Sequence, residues 1–189
     1  DARRLQKLGA NVLTVDRTSA IAELPPSTMV RQGSLENSGV EPITEMKDET
    51  IDEGFQLNLI ANMQFARAFL PRMREQRWGR FIFSSSIASM MVSPLEGTGV
   101  YAATKAGLNG FCRQIAADSG HYNVTANALV LGFFMTDILQ SGVKYISENQ
   151  GEAAAKKFLA DFVSITALGR IGDPAEIVIA PAHTPHRVA

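Results

Sequence analysis

Tyr101 and Lys105 stand four residues apart, with Ser85 and Ser86 upstream. On a helix this spacing puts a phenol and an ammonium on one face, a turn apart. A free phenol has a pKa of about 10 and is a poor proton donor or acceptor near neutrality. A neighbouring lysine charge favours the phenolate and lowers that pKa. A phenol tuned in this way gives a proton to a carbonyl oxygen or takes one from an alcohol. A serine hydroxyl close by can hold the same substrate oxygen. Alone, Tyr-x-x-x-Lys arises by chance in roughly one chain in seven, so its neighbours decide its weight.

The elements around the pair are legible. From Tyr101 to about Ser119, Ala102, Ala106, Phe111 and Ile115 make one packed helical face. Upstream, Phe81-Ile82-Phe83 runs into Ser84-Ser85-Ser86, a buried strand with hydroxyls at its carboxyl end. In open α/β sheets, ligands bind outside the carboxyl ends of strands. A loop from Ala88 to Gly99 joins strand to helix, and Val124 to Val130 predicts a further strand broken at Leu131-Gly132. Residues 49–75 carry the longest helical pattern, on Ile51, Phe55, Leu59, Met63 and Ala66, with Asp48 as its cap and Pro71 loosening its last turn. Asn58 lies beside that stripe. A buried asparagine must find partners, and spacing alone favours a structural bridge.

Towards the start, Asp1 to Gly9 reads as the end of a helix, and Asn11 to Val15 as a strand closed by Asp16. Such an Asp either holds the ribose hydroxyls of a nucleotide or simply ends its strand. Residues 17–36 show no clean period, and Pro25-Pro26 excludes a helix interior there. Asn37-Ser38-Gly39 signals a turn. Residues 137–168 hold helical stretches, notably Glu152 to Phe162. Met135, Ile138 and Leu139, at and just before the start of that range, pack on a core or close over a ligand. Asp173-Pro174 with Glu176 marks another helix start, and Ala182 to Ala189 has no packed pattern. Strand and helix in alternation predict a doubly wound parallel α/β sheet in one domain, residues 1–189.

Composition narrows the function. The 189 residues are 46% hydrophobic and 20% charged, the balance of a soluble globular domain. A formal net charge of -1 with no basic stripe argues against nucleic acid as a partner. No apolar run reaches the ~18 residues of a membrane span. Cys112 is the only cysteine, so a reducing, cytoplasmic setting is expected, and three scattered histidines offer no metal-ligand spacing. The chain starts at Asp1 without an initiator Met or a signal peptide, and an incomplete domain is expected.

In order, "ENSGVEPITEM", "FQLNLIANMQFARAFLPRM", "SSSIAS", "YAATKAGLNGF", "NVTANALVLGFFMTD" and "GRIGDPAEI" closely resemble the short-chain dehydrogenase/reductase family. The likeness runs from about Asn37 to Ile177. It implies a Rossmann-like, three-layer αβα fold and an NAD(P)-dependent oxidoreductase that interconverts a carbonyl and a secondary alcohol. By that resemblance Tyr101 is the catalytic acid/base. Lys105 lowers its pKa and holds the nicotinamide ribose. Ser86 orients the substrate oxygen, with Ser85 as its rival. Asn58 anchors a water in a proton relay, which reverses the structural reading given above. Asn37 and Gly39 match the turn near the adenosine half of the cofactor. Gly132 and Thr136 match the segment that cradles nicotinamide and phosphates.

The departures are specific. The family's Gly-rich turn and its last strand have no counterpart, Glu36 stands where an amide is usual, and Leu131 replaces a proline. Asp16 ends either the second strand, implying NAD, or the third, near adenine; the cofactor is therefore NAD or NADP. A small carbonyl or alcohol substrate and a homodimer or homotetramer are the expected partners. A non-catalytic chain that keeps the fold and serves as an oligomer partner is the rival reading. An extended relative of the nucleotide-sugar epimerase type would need a larger carboxyl-terminal region.

Overall fold

The computed structural model of the chain describes residues 14–15, 29–30, 41–93 and 96–177. They fall into two compact units, one ending at Leu131 and the other beginning at Gly132.

In the first unit, β1 (Thr14–Val15) pairs in parallel with β2 (Met29–Val30). The strand at Met29 lies in the stretch where no period was legible. The long helical pattern becomes α1 (Asp48–Phe55), a π-helical segment (Gln56–Ile60) and α2 (Ala61–Glu75), which runs on through Pro71. Asp48 is not the cap. Lys47, in extended backbone, holds that position without a side-chain bond, and Asp48 and Glu49 occupy the first turn. There their charges favour the positive end of the helix dipole.

Arg77 ends α2 in the left-handed conformation, φ 50°, and Trp78 N–H reaches back to Met73 O at 3.0 Å. This pattern satisfies carbonyls left open at a helix end. Gly79 then starts the next strand against Met73, where a Cβ would sit 2.6 Å from the Met73 sulfur.

Strand β3 (Gly79–Ser86) pairs in parallel with β4 (Val124–Leu131) over its full length, from Gly79 opposite Val124 to Ser86 opposite Leu131. Between them lies α3 (Gly99–Ser119). A parallel pair needs such a crossover, so β3-α3-β4 is a βαβ unit. Phe81 and Phe83 point to one face of the ladder, as residues two apart must. Leu59, Ala66 and Met73 from the long helix and Leu108, Cys112 and Ile115 from α3 join them in one core. Gly107 lets the helices approach: a Cβ there would lie 3.0 Å from Leu59 Cδ2. Arg74 ties the far ends of α2 and α3, donating to Ser119 Oγ at 2.9 Å and Asp118 O at 3.1 Å.

The second unit holds α4 (Asp137–Gln150), α5 (Glu152–Ser164) and the short α6 (Pro174–Ile177). Gly151, at φ 93°, separates the first two. Phe162 is buried, with Phe133 at 4.3 Å and Phe158 at 4.8 Å between ring centroids. Phe134 bridges to Gly172. The expected start of α6 is a closed motif. Asp173 Oδ1 accepts from Ala175 N–H at 2.7 Å, and Glu176 accepts from Asp173 N–H at 3.1 Å.

Candidate active site

The alternation of β3 separates its serines. Ser85 shares the buried face of Phe81 and Phe83, while Ser84 and Ser86 are half-buried on the other. The Ser85 hydroxyl is 2% exposed and lies 3.4 Å from both Lys105 O and Ser89 Oγ, bridging strand to α3. Ser86 Oγ instead accepts from Ala88 N–H at 3.2 Å and caps the short 3-10 turn Ile87–Ser89. Acting there as an acceptor, it keeps its own hydrogen for another oxygen.

Tyr101 and Lys105 follow on the first turns of α3. Tyr101 is half-buried, and its carbonyl accepts from Thr104 Oγ1 at 2.7 Å. Lys105 is 3% exposed. Its Nζ donates to Ser84 O at 2.9 Å and stands 5.5 Å from the centre of the Tyr101 ring. Burial lowers the Lys105 pKa from its usual 10.5 to about 8. At pH 7 the ammonium is therefore still the main form.

Asn58 sits in the π-helical segment and is buried at 3% exposure. Segments of this kind are frequent at functional sites. Asn62, itself buried, donates its amide to Asn58 O at 2.9 Å. Sequence reasoning passed over Asn62, although a second asparagine one turn on from Asn58 was a readable signal. Ser89 and Asn109 were likewise missed: Asn109 Nδ2 donates to Ser89 Oγ at 2.8 Å.

The first unit thus brings Ser84, Ser85, Tyr101 and Lys105 together at the carboxyl end of β3, the strand that ends on Ser86. Asn58 lies on the helix that packs on α3. Gly132 and Thr136 belong to the second unit, where Thr136 Oγ accepts from Leu139 N–H at 3.4 Å and caps α4. Asp16, Asn37 and Gly39 lie outside the described residues. Among the described residues, no helix is long and apolar enough to cross a membrane.

The profile of the short chain dehydrogenases matches residues 29–145. A 3-oxoacyl-[acyl-carrier-protein] reductase of Rickettsia felis is 32% identical over 149 residues, 77% of this chain and 56% of that protein. A hydroxynaphthalene reductase-like protein of Metarhizium brunneum is 30% identical over 147 residues, 76% of this chain and 54% of that one. The chain spans about half the length of the curated relatives it matches. Among solved structures, sorbitol-6-phosphate 2-dehydrogenase of Erwinia amylovora superposes with a TM-score of 0.71 at 22% identity, over 96% of this chain and 64% of that one. L-sorbose reductase of Gluconobacter frateurii, complexed with NADPH and L-sorbose, gives 0.68 at 22% identity, over 91% and 58%. The fold is the doubly wound, Rossmann-like αβα arrangement around a parallel sheet. With ordered motifs, fold and a profile match over more than half its length in agreement, the chain belongs to the short-chain dehydrogenase family.

Proposed function

We propose that the protein carrying this chain is an NAD(P)-dependent oxidoreductase that interconverts a small carbonyl compound and its secondary alcohol. The observation that carries the reading is the buried Lys105 ammonium, 5.5 Å from the Tyr101 ring at the carboxyl end of β3. A dinucleotide fits this donor set. An ammonium and a phenol hydroxyl suit the vicinal hydroxyls of a ribose, and the position is where open α/β sheets hold ligands. When such a cofactor is bound, the chemistry it supplies is hydride transfer at the carbinol carbon.

The chain's own residues do the rest. In reduction the Tyr101 hydroxyl gives its proton to the carbonyl oxygen, and in oxidation the phenolate takes it back. The Lys105 cation stabilises negative charge on the phenol oxygen as that proton leaves. Ser86 rather than Ser85 offers a hydrogen bond to the substrate oxygen, because the Ser85 hydroxyl is turned into the contact with Lys105 O. Asn58 supports the return of the proton from solvent. Lys105 and Tyr101 also hold the nicotinamide ribose; Gly132 and Thr136 hold the nicotinamide and phosphates; Asp16, Asn37 and Gly39 hold the adenosine half. The choice between NAD and NADP falls to residues around Asp16. We take residues 1–189 as part of one such domain, working as a homodimer or homotetramer.

The test is Tyr101→Phe in the full-length protein, assayed by nicotinamide absorbance against ketones, 3-oxoacyl thioesters and ketoses with both nucleotides. Turnover is expected to fall at least about 100-fold while nucleotide binding, read by fluorescence, is kept. Undiminished turnover of a confirmed substrate rejects the assignment. Wild-type protein that binds neither nucleotide supports the non-catalytic oligomer-partner reading instead.

A further inference from the structure

Tyr101, Lys105 and Asn109 form one row on α3 at intervals of four. From Asn109 a directed chain of hydrogen bonds leads back to β3. Asn109 Nδ2 donates to Ser89 Oγ at 2.8 Å, and Ser89 Oγ donates to Ser86 O at 2.6 Å. Ser89 has a single hydrogen and commits it to Ser86, so its oxygen is left to accept from Asn109. A reversed Asn109 amide would present Ser89 with a carbonyl oxygen that it has no hydrogen to meet. The orientation of each group is thereby set by the next.

The chain ends on a residue held at three points. The ladder fixes Ser86 opposite Leu131. Ser89 fixes its carbonyl, and with it the peptide plane that leads into the Ile87–Ser89 turn. That turn presents Ala88 N–H to Ser86 Oγ. The turn keeps its own backbone bonds from Met90 and Met91 N–H to Ile87 O, so removing the Ser89 bond loosens it where it meets Ser86, and the turn is what holds the Ser86 hydroxyl.

Stability does not account for Asn109. Among the described residues, its Oδ1 is a buried side-chain atom without a hydrogen-bond partner, an arrangement that costs folding free energy. A leucine of similar size would avoid that cost.

We propose that Asn109, acting through Ser89, is a positioning residue that sets the Ser86 hydroxyl against the Tyr101–Lys105 pair. The proposal rests on the reading of Ser86, Tyr101 and Lys105 as the proton-transfer site. Its test uses Ser89→Ala, Asn109→Leu, the double variant and Ser89→Thr in the full-length protein with a confirmed substrate. Ser89→Ala and Asn109→Leu are each expected to lower kcat about tenfold with nucleotide KM unchanged, since small misplacements of a substrate-holding group are felt in turnover. The double variant is no worse than the worse single one, and Ser89→Thr restores turnover. A crystal structure of Ser89→Ala shows the Ser86 hydroxyl displaced.

Turnover in both single variants within about twofold of the unsubstituted protein overturns the proposal. So does a loss of turnover with Ser86 unmoved, or single losses that multiply in the double variant. These outcomes differ from failure of the underlying reading. An unsubstituted protein that is inactive with every carbonyl, or a fully active Tyr101→Phe variant, defeats the proposed function and the role of Asn109 with it.

Discussion

Replacing Lys105 with methionine separates what this side chain does for folding from what it does for chemistry. Burial moves its pKa from 10.5 to about 8. The folded state therefore binds fewer protons than the unfolded state between those values, and stability rises with pH across that window. Below about pH 8 the full penalty is present, and it is relieved as pH climbs towards 10.5. At about 1.4 kcal/mol per unit, the shift amounts to about 3 kcal/mol at pH 7 and about 1 kcal/mol at pH 10.

Lys105→Met removes that penalty, but it also removes the Nζ bond to Ser84 O, which offsets about 1–3 kcal/mol. The hydrogen-bond loss is common to both pH values, so the difference between them isolates the charge. Urea denaturation of both proteins at pH 7 and pH 10 is expected to show the variant losing about 2 kcal/mol of relative stability on going to the higher pH. Turnover should be lost at both. A stability difference that does not change with pH would refute the argument that the folded protein shelters a desolvated ammonium.

Four further outcomes follow from the same geometry. Ser86→Ala should lower kcat about 100-fold and, by losing its cap on the Ile87–Ser89 turn, cost about 1 kcal/mol in denaturation, whereas Ser85→Ala should keep turnover at a similar cost in stability; the reverse pattern of turnover would exchange the two serines' roles. Leu108, 0% exposed at the centre of the core, should cost about 3–5 kcal/mol when cut to alanine, measured in urea. Gly97→Ala should destabilise the protein by about 1–3 kcal/mol, because its backbone is at φ +78° and a Cβ would sit 2.6 Å from the Glu41 carbonyl carbon. The hydrogen bond from Arg170, helped by that from Asp173 N–H, holds the Glu176 carboxyl down at about 2. The stability these contacts contribute is thus fully present above the usual carboxylate pKa of 4.5 and is lost as pH falls from there through about 2, where the folded carboxyl itself takes up its proton. An NMR titration of Glu176 with a midpoint above 4 would contradict this.

The parts of the molecule that can be read from the chain are those built on one repeating pattern. Phe81 to Phe83 and Val124 to Val130 announce β3 and β4 because short, mostly apolar runs bounded by turn residues read as strands. The α3 helix follows from its apolar spacing, and the α6 start follows from a cap, a proline and an acid at fixed offsets. Short elements without periodicity were not legible: Met29–Val30 is two residues long. The cap of α1 was misplaced because Asp48 and Glu49 are favoured both at a cap and in a first turn, and side-chain type alone does not distinguish those positions.

For the site, residue spacing brought Tyr101 and Lys105 together, but the choice between Ser85 and Ser86 depends on which face of the strand is buried. That depends on the phase of Phe81 and Phe83 against α3, a tertiary fact. The Ser89–Asn109 bond spans 20 residues and leaves no local trace.

Between Gln56 and Ile60 the helix accommodates one residue more than α-helical winding would over the same stretch. Ile51, Phe55, Leu59 and Met63 are spaced by four, and twelve plain α-helical steps would carry Met63 about 120° past three turns from Ile51. With one residue absorbed, the remaining eleven steps overshoot by only about 20°, and Phe55, Leu59 and Met63 all stay on the core. Deleting one residue inside 56–60 should therefore be tolerated as folding, giving a regular helix whose two flanks keep their faces. The same deletion within α1 or α2 would rotate one flank by about 100°. The length of this helix is thus free to drift by one residue at a single place, the turn that carries Asn58. A relative with a shorter helix would keep the whole core and still present a different side chain, or none, at that point of the candidate site.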